Sequence, residues 1–576
     1  MFSIPNLFFI LSLPIAILAL VLTQNAEWRP HLQVWLSSFS HPTVILPQGT
    51  LLGTVLAKDF PPVEAFLGIP YVLPPVGDRR FRHPVPVSPS NETIYATSFG
   101  SKCPGAMPLL KVPAPESEDC LTANVFRPKQ YNTKEPLPVA VYIHGGAFNR
   151  GSATMHNTAS MVGWSESPFI AVSFNYRIGA LGFLPSTVTA KEGILNLGLH
   201  DQVVLLEWVR DNIGKFGGDP NQVTLFGLSA GAHSIGHHLM NYKPSSPLFH
   251  RVIIESGAPT SRAVHKYDNK IHEEQFRAFL EEAGCSAVPD DEITSCLRAR
   301  PYDAITKASD VVFRIYNTPP RWAFQPVVDG DLLPRRPIDA WEAGIWNKIP
   351  IMTGFNTNEG SMYVPSTMET PAEFSDFFRL LLPAFPESDI QAISNLYPDP
   401  STDASSPYTD TRPIPVGAQY KRVEAAYAQY AYICPVRQTA HLATTAHDQP
   451  PVYLYHWAVN TTVKNGANHA DNMYYESLDP KITSISHTQK ELAGVYHAYL
   501  TSFIATGDPN HLEGKYKHRP VWEGYRREQP RKIVFGLGND ERAGGEGKGI
   551  VAEMVDDVWG KVECEFWWDR IGLSEQ

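Results

Sequence analysis

Short apolar runs of strand length alternate with stretches of helical spacing through most of this chain. Val139-Ala140-Val141-Tyr142-Ile143 reads as a buried strand, and so do Phe169 to Phe174, Val223-Thr224-Leu225-Phe226, Val252-Ile253-Ile254, Ile351-Met352-Thr353-Gly354 and Val452-Tyr453-Leu454-Tyr455. Asp201 to Ile213 has helical spacing, with Val204, Leu205, Trp208, Val209 and Ile213 on one face. Apolar strands separated by helices predict a mostly parallel sheet covered on both faces, a doubly wound α/β architecture. Upstream, Thr50 to Val55 and Val63 to Leu67 alternate like an antiparallel pair, and a proline-rich stretch follows (Pro70, Pro74, Pro75, Pro84, Pro86). Between Glu359 and Pro451 the pattern turns helical (Phe374 to Leu382, Gln419 to Tyr432), broken by the polar Pro398 to Pro413. This predicts an inserted helical layer over the strand ends, where open α/β sheets bind ligands; the alternative is a set of helices that only enlarge the core.

No repeat or mid-chain linker interrupts this series, so residues 27–576 read as one large domain. Leu7 to Leu22 is an apolar run broken only by Ser12 and Pro14. It is short for a membrane span and has the length of a signal-peptide apolar region, although no Lys or Arg precedes it. Residues 1–26 are therefore expected to be a cleaved export signal, with cleavage near Thr23 to Ala26; the alternatives are an uncleaved anchor, the only route by which a membrane becomes a partner, and a buried segment. A hydrophobic content of 43% with 19% charged residues is that of an ordinary globular protein. The net charge of −11, without any basic run, argues against nucleic acid as a partner. Six cysteines suit an oxidising compartment: Cys103 and Cys120 are close in sequence, as are Cys285 and Cys296, leaving Cys434 and Cys564. The alternative is six reduced core thiols. Asn91-Glu92-Thr93 and Asn460-Thr461-Thr462 are glycosylation sequons. Neither a CxxC pair nor a His/Cys cluster suggests a metal, and no cofactor is expected.

The chemistry centres on Gly227-Leu228-Ser229-Ala230-Gly231. A strand runs into it and helix-compatible residues follow, the context of a nucleophile elbow. Gly-x-Ser-x-Gly alone is weak evidence, because unrelated chains carry it by chance; partners decide. A serine hydroxyl needs an imidazole to take its proton, and the imidazole needs a carboxylate to fix its tautomer. The attacked carbonyl needs N–H donors aimed at the developing oxyanion. His144-Gly145-Gly146 follows a predicted strand directly, so the amides of Gly145 and Gly146, with that of Ala230, are the candidate donors. Glu359 sits just past the Ile351 strand and is the candidate acid. Among twenty histidines, His469 lies in a loop after the last predicted strand, the topological place for the base. His233, His237 and His238 on the helix after the elbow, and His456 at a strand end, stay open at this point.

With these residues assembled, the sequence resembles the type-B carboxylesterase/lipase family, which includes the cholinesterases. The motifs run in the family's order from about Gly49 to Trp567: Phe66-Leu67-Gly68-Ile69-Pro70-Tyr71, Ser117-Glu118-Asp119-Cys120-Leu121, His144-Gly145-Gly146-Ala147-Phe148, Asn175-Tyr176-Arg177, Phe216-Gly217-Gly218-Asp219-Pro220, the elbow, Pro326-Val327-Val328-Asp329-Gly330, Asn358-Glu359-Gly360 and Thr506-Gly507-Asp508-Pro509. The resemblance implies an α/β-hydrolase fold with helices flanking a large, mostly parallel sheet and inserted over its strand ends. It implies a secreted serine carboxylic ester hydrolase with Ser229 as nucleophile, Glu359 as acid and His469 as base. It further implies disulfides Cys103–Cys120, Cys285–Cys296 and Cys434–Cys564, and a supporting role for Ser256 behind the acid.

Departures from the family pattern narrow the expected substrate. Leu228 stands where the family usually has Glu, which favours a neutral or apolar small-molecule ester over a cation. The loop from Cys103 to Cys120 holds no Trp, where cholinesterases place a cation-binding indole. The same loop is short and proline-dotted (Pro104, Pro108, Pro113, Pro115), with Met107, Leu109, Leu110 and Val112 as its apolar anchors, so a large interfacial lid is not expected. Ala470 and Asn472 replace a Gly and an acidic residue near the base, which points to different local support for His469. Alternatives are a lipase, an acyltransferase or lactonase acting on a specialised metabolite, and, more remotely, a non-catalytic binding protein. The sequence leaves the oligomeric state open.

Overall fold

The computed structural model describes residues 41–106, 115–129, 135–241, 247–409, 415–445, 449–461, 466–539 and 549–574. The segment 1–26, the loop anchors Met107, Leu109, Leu110 and Val112, and Thr462 of the second sequon lie outside the described residues. In chain order the strands are β1 (Thr43–Leu46), β2 (Gly49–Leu52), β3 (Thr54–Leu56), β4 (Val63–Pro70), β5 (Thr93–Tyr95), β6 (Thr122–Pro128), β7 (Leu137–Ile143), β8 (Ile170–Phe174), β9 (Gly218–Leu228), β10 (Arg251–Glu255), β11 (Ile351–Asn356), β12 (Val452–Trp457), β13 (Arg531–Phe535) and β14 (Ala552–Asp556). β1, β2 and β5 form a small sheet, and the rest form one sheet ordered β14-β13-β12-β11-β10-β9-β7-β8-β6-β4-β3. From β8 to β13 every pairing is parallel, while antiparallel strands close both edges.

Alternation along the central strands explains why helices must cover both faces. Val139, Val141 and Ile143 of β7 point into one hydrophobic core, with Leu225 of β9 and Leu454 of β12. Ala140 and Tyr142 point into a second core on the other face, with Phe226, Met352 and Tyr455. The first core receives Ala232, Ile235 and Leu239 of helix α1 (Ala230–Met240). The second receives Leu492, Val495, Tyr496 and Tyr499 of helix α2 (His487–Thr506). Both faces are thus removed from water, as near-continuous apolar strands require.

The inserted helical layer has a core of its own. Helix Pro371–Leu381 opens with a capping box formed by Thr370 and Glu373 and buries Phe374, Phe377 and Phe378. These pack with Tyr420, Val423 and Tyr427 of helix Tyr420–Ala428, and with Trp567 near the C-terminus. That helix continues through a π-helical turn, Gln429–Ile433, into helix Cys434–Ala443. Pro435 has no N–H to give the Ala431 carbonyl, a local reason for the ladder to widen there. The turn aims Tyr432 at the end of the parallel sheet.

Two expectations about strands change. Thr50 to Val55 is not one strand: the chain leaves the small sheet at Leu52 and enters the large one at Thr54. Gly53 is the pivot, since a Cβ there would lie 2.6 Å from the Ala65 carbonyl oxygen and 2.8 Å from the Phe66 ring. The series also does not end at β12, because β13 and β14 extend the sheet; β13 carries Arg531 and Lys532 in its apolar run, and Lys532 is buried against Asp557.

Candidate active site

β9 ends at Leu228 and α1 begins at Ala230, leaving Ser229 alone at the turn with φ 60° and ψ −125°. A non-glycine residue there costs on the order of 1–3 kcal/mol, tolerated only when the surroundings over-determine it. They do so: Ser229 N–H donates to the Glu255 carbonyl at 3.0 Å, and its own carbonyl accepts from His233 N–H at 2.9 Å. The flanking glycines are required by the end of β7. A Cβ on Gly227 would lie 2.6 Å, and one on Gly231 only 2.0 Å, from the Ile143 carbonyl oxygen. Ser229 is nearly buried and lines a cavity of about 280 Å³.

Glu359 lies on the loop after β11 and is fully buried. Its Oε1 accepts from the Ser256 hydroxyl at 2.6 Å and from the Asn356 N–H at 2.6 Å. Its Oε2 receives Nδ1 of His469 at 2.5 Å. With the Nδ1 proton directed to the carboxylate, Nε2 is left as the acceptor. That atom is buried without a hydrogen-bond partner, and His469 lines the same cavity as Ser229. The loops carrying the two residues are tied together: Asn358 N–H donates to the Ala467 carbonyl at 2.8 Å, Asn356 Nδ2 to the Asn468 carbonyl at 2.6 Å, and the Ser361 hydroxyl to Asn468 Oδ1. Tyr432 and Tyr363 flank the imidazole, with ring centroids at 4.7 and 5.4 Å.

The other histidines considered from sequence are buried in other roles. Burial pushes His237 down to about 3 and His238 down to about 4, each helped by a neighbouring histidine. Burial, then the charge of Arg262, holds His233 well below its ordinary value, and His456 is lowered by burial and by Lys532. His238 Nε2 bonds Gln202 at 2.7 Å and His456 Nε2 bonds the Thr357 hydroxyl at 2.8 Å. Among the described residues none of the four pairs with a carboxylate.

Gly145 and Gly146 follow β7 and line the cavity beside the serine. A Cβ on Gly145 would lie 3.0 Å from Ser229 Cβ, which measures how closely the two segments meet. Among the described residues neither glycine N–H is used by the backbone ladder. Ala230 contributes the first N–H of α1 at the positive end of that helix. Leu228 is buried and faces the cavity, whose walls include Ile178, Met155, Met362 and Met473. Cys103–Cys120, Cys285–Cys296 and Cys434–Cys564 are bonded, and no cysteine is free. Asn91 is exposed.

Sequence reasoning missed a buried acid network behind the site. Glu255 Oε1 accepts from the Tyr496 hydroxyl at 2.7 Å, the Tyr455 hydroxyl at 2.9 Å and Asn472 Nδ2 at 3.0 Å. Burial raises Glu255 against these donors, and Glu476 beside it is raised well above the carboxylate range by burial and by the Glu255 charge. Asn472 also accepts from Asn356 Nδ2 at 3.3 Å, so the network reaches the loop that holds Glu359. The only sequence signal was position: Glu255 immediately precedes Ser256.

Comparison with known proteins gives concordant findings. The profile of the Carboxylesterase family matches residues 40–556. Secreted lipase 4 of Gibberella zeae is 36% identical over 500 residues, covering 85% of this chain and 87% of that protein. Lipase 1 of Geotrichum candidum is 30% identical over 525 residues, covering 81% and 88%. The crystal structure of Aspergillus niger EstA superposes with a TM-score of 0.79 at 28% identity, covering 93% of this chain and 99% of that one.

Proposed function

This chain belongs to the carboxylesterase family and is a carboxylic ester hydrolase of the α/β-hydrolase fold, and from that premise we propose the residues that do the chemistry. Ser229 attacks the ester carbonyl while His469 Nε2 takes its proton. Glu359 holds Nδ1–H and stabilises the imidazolium that forms. The N–H groups of Gly145, Gly146 and Ala230 receive the oxyanion. His469 then protonates the departing alkoxide, and water repeats the cycle on the acyl-enzyme, regenerating Ser229 and releasing the acid. Ser256 holds Glu359 from behind. The observation that carries this reading is the 2.5 Å contact from His469 Nδ1 to a fully buried Glu359, with Nε2 unpartnered in the cavity that Ser229 lines.

The groups beside the scissile bond are apolar in this reading, because Leu228 rather than a carboxylate faces them. Hydrolysis of a p-nitrophenyl ester series by the purified protein beside Ser229→Ala tests it. Turnover confined to the wild type is expected; absence of serine-dependent turnover on every ester would sink the assignment. A preference for long emulsified chains over soluble short ones would instead favour a lipase, as two of the relatives are named.

Residues 1–26 act as an export signal and 27–576 form the secreted domain in the same proposal. Support comes from three disulfides, the exposed Asn91 for glycan attachment, and a relative named as a secreted lipase. Asn460 is the second proposed glycan site. Among the described residues no helix is long and apolar enough to cross a membrane. N-terminal sequencing of the protein recovered from culture medium tests the signal; retention with an intact N-terminus would overturn it.

A further inference from the structure

Arg150, on the loop that follows Gly146, lines the cavity beside Ser229 and makes no ion pair or hydrogen bond through its guanidinium among the described residues; its Nε is buried and unpartnered. Among the described residues every other charge lining that cavity is engaged. Lys102 pairs with Glu116 at 3.2 Å. Asp471 accepts from the Asn468 N–H at 2.7 Å and from the Thr461 hydroxyl. Asp310, whose charge favours the Arg150 cation, is held by Arg314 at 2.8 Å, and its free oxygen bonds nothing. Residues 107–114, between Cys103 and Cys120, contain no Asp or Glu.

The surroundings of Arg150 raise the cost of leaving it unpaired. It lies over the Phe313 ring at 5.6 Å, and burial holds its pKa below the usual guanidinium value. A second cation, Arg262, adds positive potential on the same side; it stacks on Trp322 at 3.8 Å and donates to the Tyr432 hydroxyl. The two guanidinium groups repel each other. Burial penalises a cation whose guanidinium bonds no acceptor, and a planar guanidinium fork fits a carboxylate through two parallel hydrogen bonds.

We propose that Arg150 sets specificity: the cavity takes esters with an apolar body that carry a carboxylate away from the scissile bond, and Arg150 receives that carboxylate. This rests on the reading of Ser229 as the nucleophile. It leaves the groups beside Ser229 apolar and adds a cationic anchor, Arg150, in the wall of the same cavity.

The test uses matched ester pairs of equal chain length. Monomethyl suberate against methyl octanoate places the carboxylate on the acyl side. The acetyl ester of a terminal hydroxy acid against the corresponding alkyl acetate places it on the alcohol side. The readout is the ratio of kcat/KM within each pair for the wild type, Arg150→Met and Arg150→Lys. In at least one pair the wild type should favour the anionic member, Arg150→Met should lower the ratio by about tenfold or more, and Arg150→Lys should retain part of it. A wild-type ratio without anionic preference in both pairs, or an equal loss on both members in Arg150→Met, would overturn the proposal. Should Arg150→Met fail to fold, wild-type hydrolysis of methyl octanoate should still be inhibited more strongly by suberate than by the matching diol; equal inhibition overturns the idea. Serine-dependent turnover of methyl octanoate without any charge preference defeats only the Arg150 proposal, whereas no serine-dependent turnover at all defeats the nucleophile assignment beneath it.

Discussion

Removing the Ser256 hydroxyl should slow catalysis without loosening the protein or its grip on substrate. Glu359 accepts three hydrogen bonds, from Ser256, Asn356 and His469, and is fully buried. Ser256→Ala deletes one of the two that fix Oε1. A hydrogen bond to a charged group is worth about 1.5–3 kcal/mol, and if most of that is felt when the imidazolium forms, kcat falls about 10- to 100-fold. KM should change little, because Ser256 does not line the cavity. The backbone supplies a control. Ser256 sits at φ 49°, where a residue with a Cβ costs about 1–2 kcal/mol that glycine avoids. Ser256→Gly therefore removes the hydroxyl while relieving the backbone. It should match Ser256→Ala in kcat and equal or exceed it in thermal midpoint. Steady-state kinetics on one soluble ester, with unfolding followed by fluorescence, measures both. Retention of kcat within about twofold by the two variants would refute the idea that Glu359 depends on this donor.

The disulfides should rank by the chain they close. Their separations of 130 residues for Cys434–Cys564 and 11 for Cys285–Cys296 convert, on chain entropy alone, to about 5 and about 3 kcal/mol, so paired Cys→Ser variants should lower the urea midpoint in that order. Acid should destabilise the fold through histidines buried in the neutral form. His156 and His237 are lowered to about 3, and His144, His238 and His497 to about 4, all by burial first. A depressed pKa gives stability that is present above the unfolded value near 6.5 and lost as pH falls through the folded one. His497→Gln should accordingly flatten the fall between pH 6.5 and 4 by about 1.4 kcal/mol per pH unit, and an unchanged slope would count against it. Glu476 has the opposite sign: its raised pKa gives stability present below the ordinary carboxylate value and lost as pH rises. Glu476→Gln should gain more in urea midpoint at pH 8 than at pH 5; an equal shift at both would refute the reading. Gly231→Ala should fold poorly or not at all, because its Cβ would lie 2.0 Å from a strand carbonyl; soluble protein of normal thermal midpoint would contradict that.

What could be read from the sequence follows from which forces are local. Strands β7 to β12 were legible because burial on both faces forces a continuous apolar run, and the elbow because the close approach of β7 leaves its mark in two glycines set either side of the serine within five residues. β13 was not, because its Lys532 is neutralised by Asp557 and so sits in the sheet at a position where composition alone argues against a strand. The division of Thr50 to Val55 between two sheets depends on Gly53 meeting Phe66, a contact that local periodicity does not encode.

The same distinction separates the two parts of the site. Ser229, Glu359 and His469 occupy strand-end loops whose order along the chain follows the order of the sheet, so topology was enough to nominate them. The charges around them obey no such order. Asn472 bridges Asn356 and Glu255, a carboxylate that comes from β10 and has Glu476 beside it. Arg150 looks in the sequence like an ordinary surface cation after two glycines. It becomes informative only when the fold surrounds it with Phe313, Tyr363 and a second arginine and, among the described residues, bonds no carboxylate to its guanidinium. Leu228 puts an apolar side chain beside the serine, and Arg150 puts a cation in the wall of the same cavity. On the proposed reading both move the cavity's potential in one direction, against cationic alcohols and toward an apolar ester with an anionic end.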